Sequence, residues 1–301
     1  VYRNEYAIHF PVEEWPEGRP ALISPVYERL AAKGARFGAR GGWERATWFP
    51  RSDDSSSGAE KAVANGVSSG GTDDAPNGEP LDGTRLAEDG DILPMAGAGY
   101  ERGEWFRAVG EECRHVRDHA GILDMGGFTK LAVEGRGAAD WLDTVIAGRL
   151  PRPGRLSLAC LCHPSGGVWS DMTVTRLDEE RFLLISGAPA HRHDRQWLEE
   201  HLPADAAFTL EDVSERFGTL VIAGPASRAV LSELIDGGPD AGKSDEAGGA
   251  GEGDALSNAA FPWLSVREIT LAGIELLALR VNYLGELGWE LHVKVDDQLS
   301  H

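Results

Sequence analysis

Residues 155–187, RLSLACLCHPSGGVWSDMTVTRLDEERFLLISG, constrain the fold more than any other stretch of the chain. Three apolar-rich runs are separated only by PSGG and by LDEER. Each run has the length of a strand, and neither break is long enough for a crossover helix, so the three strands must form an antiparallel meander. LLALRVNY (276–283) and the run from Trp289 to Val295 behave alike. Apolar Trp289, Leu291, Val293 and Val295 alternate with Glu290, His292 and Lys294 at period two, and GELG between the two runs reads as a turn. Further strands are expected at FTKLAVEG, FTLEDV, FGTLVIAG and REITLA.

Helical spacing appears between these strands. Trp105, Val109, Cys113 and Val116 recur along one helix that Gly121 ends, and GAADWLDTVIAG, HRHDRQWLEEHL and SRAVLSELI predict three more. Near the N-terminus SPVYERLAAKGARFG predicts a short helix with Ser24 as N-cap, Pro25 at its first position and Gly34 as its stop. Hairpins and helices in mixed order give an α+β fold, antiparallel sheets with packed helices, rather than a doubly wound parallel sheet.

Composition divides the chain. Residues 1–50 are rich in Trp, Tyr and Phe, whereas 51–97 are dominated by Ser, Gly, Asp and Glu with no aromatic residue. Such a segment buries too little apolar surface to offset its ordering entropy, so it is expected to be a disordered acidic insertion, as is 237–254. Residues 98–301 then form the main domain. Over 301 residues, 49 acidic against 29 basic side chains give a formal charge of −20. That field opposes nucleic acid and anionic membrane as partners. No run of about eighteen apolar residues is present. Three cysteines make no disulfide framework, so a reducing, cytoplasmic address is expected. The chain opens on Val1, and a longer parent polypeptide is expected.

Two places carry candidate chemistry. After the Gly166–Gly167 turn, alternation puts Asp171, Thr173 and Thr175 on one strand face and Met172 and Val174 on the other. That polar face is either solvent-facing or the wall of a site. In NYLGELGWELHV (282–293), Gly285 and Gly288 permit backbone angles that side chains forbid, or close approach of another backbone or a flat ligand. Tyr283 and Glu290 flank the turn and are able to face a common pocket, while Glu286 is expected to point away. His115 and His119 at i, i+4 lack an HExxH context and read as an exposed helix face. Cys160 and Cys162 read as packing residues, and His191 and His193 as surface. No P-loop, GxSxG or strand-borne GxGxxG occurs, and no metal site is expected.

Taken in order, GGVWSDMTV, RFLLISG, LAGPASRAVL and ALRVNYLGELGWELHV resemble the folate-binding aminomethyltransferase domain of the glycine cleavage T-protein. SPVYERLAAKGARFGARGGWERATWF resembles the connector between an FAD-dependent amine oxidase and that domain in dimethylglycine and sarcosine dehydrogenases. The resemblance implies tetrahydrofolate as cofactor, an N-methylated glycine as substrate, and FAD in the parent enzyme, whose dinucleotide fingerprint is missing here. It implies that Asp171 sits beside the reactive folate nitrogen and that Tyr283 and Glu290 hold the pterin. Thr175, Gly285 and Gly288 complete the expected cofactor-binding set. The alternatives are a non-catalytic regulatory relative and a T-protein-type aminomethyltransferase.

Overall fold

The computed structural model describes residues 18–50, 105–235 and 255–295. The two expected insertions, 51–97 and 237–254, lie outside the described residues. So do residues 1–17.

Apolar alternation builds two antiparallel sheets. The larger contains β4 (Thr129–Gly135), β5 (Ile146–Ala147), β6 (Arg155–Cys162), β7 (Val168–Arg176), β8 (Arg181–Ser186) and β9 (Phe208–Asp212), in the order β5-β6-β7-β8-β4-β9. The meander expected from residues 155–187 is β6-β7-β8. The second sheet joins β3 (Gly121–Asp124), β10 (Phe217–Ala223), β11 (Val266–Leu271), β12 (Ile274–Leu279) and β13 (Gly288–Lys294), in the order β11-β12-β13-β10-β3. A separate hairpin pairs β1 (Arg36–Arg40) with β2 (Trp43–Trp48) after the short helix α1 (Tyr27–Ala32).

Each sheet buries one face under helices. On the larger sheet, Leu131, Val133, Leu161, Met172, Val174, Phe182 and Leu184 pack against α3 (Ala138–Val145) and α4 (His191–Glu200) through Trp141, Leu142, Trp197 and Leu198. On the second, Ile222, Leu276, Ala278, Trp289 and Leu291 pack under Leu231 of α5 (Ser227–Ile235) and under Phe261. Full burial of a side chain such as Trp289 or Leu184 stabilises by roughly 1.5–3 kcal/mol.

The remaining faces meet each other. Leu156, Leu183 and Ile185 of the larger sheet join Val266 and Leu279 of the second in a third cluster. The order of layers is therefore helix, sheet, sheet, helix. Where the two sheets overlap, polar side chains in phase with that cluster face the space between them, and this is what positions the candidate site.

Three local expectations are corrected. Ser24 is not an N-cap. Val26 precedes α1, and the Ser24 hydroxyl instead donates to Asp124 Oδ2 at 2.5 Å, tying the N-terminal segment to the end of β3. The helix expected to run to Gly121 is α2 (Trp105–Asp118), and Gly121 opens β3; α2 buries Ala108 while Cys113 is exposed. The strand expected over 276–283 ends at Leu279; Arg280, in phase with Leu276 and Ala278 on the helical side, donates to the Phe261 carbonyl and to Asn258 Oδ1. Among the described residues no helix is long and apolar enough to cross a membrane.

Candidate active site

Asp171 lies on the part of β7 that overhangs the sheet. β7 pairs with β6 through Val168, but with β8 only from Thr173 onward. Met172 and Val174 enter the helix-covered core, so Asp171, Thr173 and Thr175 share the inter-sheet face as alternation requires. The question of solvent or site receives a graded answer along this strand. Thr175 is fully buried between its cross-strand neighbours Leu156 and Leu183, with no partner for its hydroxyl. Thr173 is half-buried, and Asp171 is exposed opposite Cys160. The Asp171 carboxylate has no hydrogen-bond partner among the described residues, which leaves both oxygens able to accept a proton or attract a cation. Trp169, the unpaired residue where the β6–β7 register shifts, stacks on His193 of α4 at 4.1 Å. Cys160 and Cys162 are free and half-buried, outside the three core clusters.

Glu290 reaches the same inter-sheet space from the opposite side. On β13, Trp289 and Leu291 face the helical layer, so Glu290 and His292 face inward, beside Leu279 and Leu277 of the inter-sheet cluster. Glu290 is 22% exposed, and its Oε2 stands 3.4 Å from His292 Nε2. His292 is buried, with Nδ1 3.1 Å from Thr219 Oγ1. Burial pushes its imidazole below the ordinary 6.5, and the Glu290 carboxylate offsets only part of this. A buried imidazole kept neutral by desolvation therefore backs the Glu290 carboxylate.

Opposite stands Lys130, which sequence reasoning missed. Leu131 and Val133 face the helices, so Lys130 and Ala132 face inward. Lys130 is fully buried, and its Nζ donates to the carbonyls of Gly126 (3.1 Å) and Phe128 (3.0 Å). Burial pulls its ammonium from 10.5 down to about 8, with Glu290, Asp124 and Asp212 pulling the other way. The available signal was a lysine in phase with Phe128 and Ala132 on a strand, a pattern that fits burial better than solvent.

The turn between β12 and β13 is built by its own residues. Asn282 Oδ1 accepts the Leu284 N–H at 2.6 Å, and Gly285 takes φ +79°, which favours glycine. Gly288 serves close approach: a Cβ there would collide with Asn282 Nδ2 and the Ile222 carbonyl oxygen. The neighbours at Gly288 are thus the Asn282 side chain and the β10 backbone. Tyr283 is 96% exposed and does not share a pocket wall with Glu290 here. Glu286, expected to point away, lines a groove of about 770 Å³ together with Leu284, Trp48, Ile122, Leu123 and Val221. Val221 is the cross-strand neighbour of Glu290, so this groove continues the Glu290 face.

A smaller cavity of about 320 Å³ is lined by Trp43, Thr129, His191, Asp212 and Ser214. His191, expected at the surface, is tied to Asp212 Oδ2 through Nε2 at 2.5 Å. The Ser214 hydroxyl donates to Asp212 Oδ1 at 2.6 Å. Burial raises the Asp212 carboxyl, but the Ser214 and His191 hydrogen bonds outweigh it and leave the group below its ordinary value. The carboxylate sits between serine and histidine, so the imidazole cannot take the serine proton, and this is not a hydrolytic triad.

A family model described as the GCVT N-terminal domain matches residues 26–301. The mitochondrial dimethylglycine dehydrogenase of Mus musculus is 27% identical over 300 residues, 97% of this chain and 28% of that protein. The mitochondrial sarcosine dehydrogenase of Mus musculus is 30% identical over 319 residues, 97% of this chain and 30% of that one. An aminomethyltransferase of Geobacillus kaustophilus is 29% identical over 202 residues, covering 66% of this chain and 50% of that protein. Among solved structures, the glycine cleavage system aminomethyltransferase T of Bartonella henselae has the same fold, with TM-score 0.58 at 20% identity over 91% of this chain and 54% of that one. The chain spans less than a third of the length of the dehydrogenases it matches.

Proposed function

This chain belongs to the GCVT N-terminal domain family, and from that membership we propose that it is the tetrahydrofolate-binding part of an enzyme that moves a one-carbon unit from an N-methylated glycine to folate. Amine oxidation, with its FAD, falls in this reading to the remainder of a longer protein. Residues 1–50 serve as the connector to it and 98–301 as the folate domain.

The observation that carries the reading is Glu290: a half-buried carboxylate on an inner sheet face, with the buried His292 imidazole 3.4 Å from one of its oxygens. The amino-pyrimidine edge of a pterin presents N–H donors, and an unengaged carboxylate accepts them as a pair. Leu279 and Val221 on either side of Glu290 supply apolar walls for a flat ring. The donor set therefore fits tetrahydrofolate. When bound, tetrahydrofolate supplies the nitrogen nucleophile.

Asp171 accounts for the rest of the chemistry. Its carboxylate is open, unpartnered and on the face that looks between the sheets. A fixed anion there stabilises a cationic iminium and accepts the proton that the attacking nitrogen loses. Thr173 and the buried Thr175 continue the polar row behind it.

The test is a titration of 5-formyltetrahydrofolate, which resists oxidation, against the full chain, Glu290→Gln and Glu275→Gln. Replacing one acceptor by a donor against the ligand's donors should weaken binding roughly 5- to 150-fold. Glu275, exposed at the β11–β12 hairpin, should be neutral. Equal affinities for the parent and Glu290→Gln would sink the folate reading.

A further inference from the structure

We infer that Thr219 and His292 are positioning residues for the Glu290 carboxylate: the Thr219 hydroxyl donates to His292 Nδ1, which holds the ring proton on Nε2, facing Glu290. The inference rests on the folate reading of Glu290.

Thr219 is the cross-strand partner of His292 in the β10–β13 register, as Val221 is of Glu290. Ile222, Trp289 and Leu291 face the helical layer, so these four side chains share the inner face of the second sheet. The Thr219–His292 pair is dry, with Thr219 3% and His292 1% exposed. Thr219 Oγ1 and His292 Nδ1 lie 3.1 Å apart. The other ring nitrogen, Nε2, is buried without a hydrogen-bond partner among the described residues, and Glu290 Oε2 stands before it at 3.4 Å.

The Thr219–His292 bond can run in either direction, and the carboxylate decides which. If Nδ1–H donated to the hydroxyl, Nε2 would turn a bare lone pair toward the lone pairs of Oε2, in a low-dielectric cleft that strengthens the repulsion. With the hydroxyl donating, Nε2 carries the proton and turns an N–H toward the carboxylate. Burial opposes a proton on both nitrogens at once. The 3.4 Å separation exceeds the 2.7–3.2 Å of a made N–H···O bond, so the N–H aims Oε2 without occupying it. Each carboxylate oxygen keeps its lone pairs for the donors of a pterin edge.

The experiment has two readouts, both on the full chain. Long-range proton–nitrogen correlation spectra of the labelled protein tell a protonated ring nitrogen from a bare one, and His292 is assigned by the signals lost in His292→Gln. A single proton on Nε2 is expected; a proton on Nδ1 alone, or on both nitrogens, overturns the proposal. This readout decides the tautomer in the parent even if Thr219→Val proves too unstable to titrate. The second readout is the affinity for 5-formyltetrahydrofolate in a double-mutant cycle of Thr219→Val and Glu290→Gln. Thr219→Val should weaken binding about fivefold, the worth of one hydrogen bond, and Thr219→Ser, which keeps the hydroxyl, should recover the loss. In the Glu290→Gln background Thr219→Val should cost less than about twofold, because the carboxylate it serves is gone. A pair that serves the core alone would lower the melting temperature and leave the affinity untouched. Parental affinity in Thr219→Val, or equal losses in both backgrounds, overturns the positioning role and leaves Glu290 in place. Parental affinity in Glu290→Gln overturns the positioning role and the folate reading together.

Discussion

His292 Nε2 and Glu290 Oε2 stand 3.4 Å apart on the inner face of one strand, two residues from each other, with the imidazole buried and the carboxylate reaching the opening. Period two puts them on one side, and the opposite sheet decides that this side is dry. Burial keeps the imidazole neutral although an anion is beside it.

That neutrality makes stability sensitive to acid. The folded imidazole titrates below 6.5, so below that pH the unfolded chain binds a proton that the folded one refuses. The contribution is fully present above about 6.5 and is lost as pH falls through the lower folded value. Thermal melts between pH 7.5 and 5 should show a steeper fall for the parent than for His292→Gln. Parallel curves would mean that His292 titrates normally.

Asp171→Asn should separate the two halves of the proposed reaction. In the longer enzyme, amine oxidation should stay within about twofold. Capture of the one-carbon unit by folate should drop about 100-fold or more, the usual cost of removing a positioned charge at such a centre. Formaldehyde should accumulate in its place. Since Asp171 is exposed and makes no hydrogen bond, the substitution should leave the melting temperature unchanged, and a large drop there would point to a structural role instead.

The two glycines of the GELG turn should fail differently. Gly288→Ala drives a methyl group into the Ile222 carbonyl and the Asn282 amide, backbone and buried side chain that cannot step aside, and should cost about 1–3 kcal/mol. Gly285→Ala meets no atom and pays only for its positive φ, about 1 kcal/mol. Urea unfolding midpoints rank the two, and a larger shift at 285 than at 288 would contradict the packing described.

Several features were legible in the residues alone because they are local. Side chains on a strand alternate whatever surrounds them. The β6-β7-β8 meander, the split between Asp171 and Met172, and the split between Trp289 and Glu290 could therefore be read before any fold was known. So could the helices α3, α4 and α5, whose apolar spacing follows from the helical turn. Hairpins too short to cross over made the sheets antiparallel.

What only the tertiary structure decided is what each face meets. Gly121–Asp124 is four residues with no alternation of their own, and they become a strand because β10 offers them an edge. Ser24 looks like a cap until Asp124, far along the chain, is brought within hydrogen-bond reach. Lys130 carries the plainest lesson: Phe128 and Ala132 in phase with it hint at a buried face, but its own segment does not say that a second sheet will be what covers it. Alternation assigns a side chain to a side at no cost in distance, whereas burial and the charges that then face it depend on packing between segments far apart in sequence.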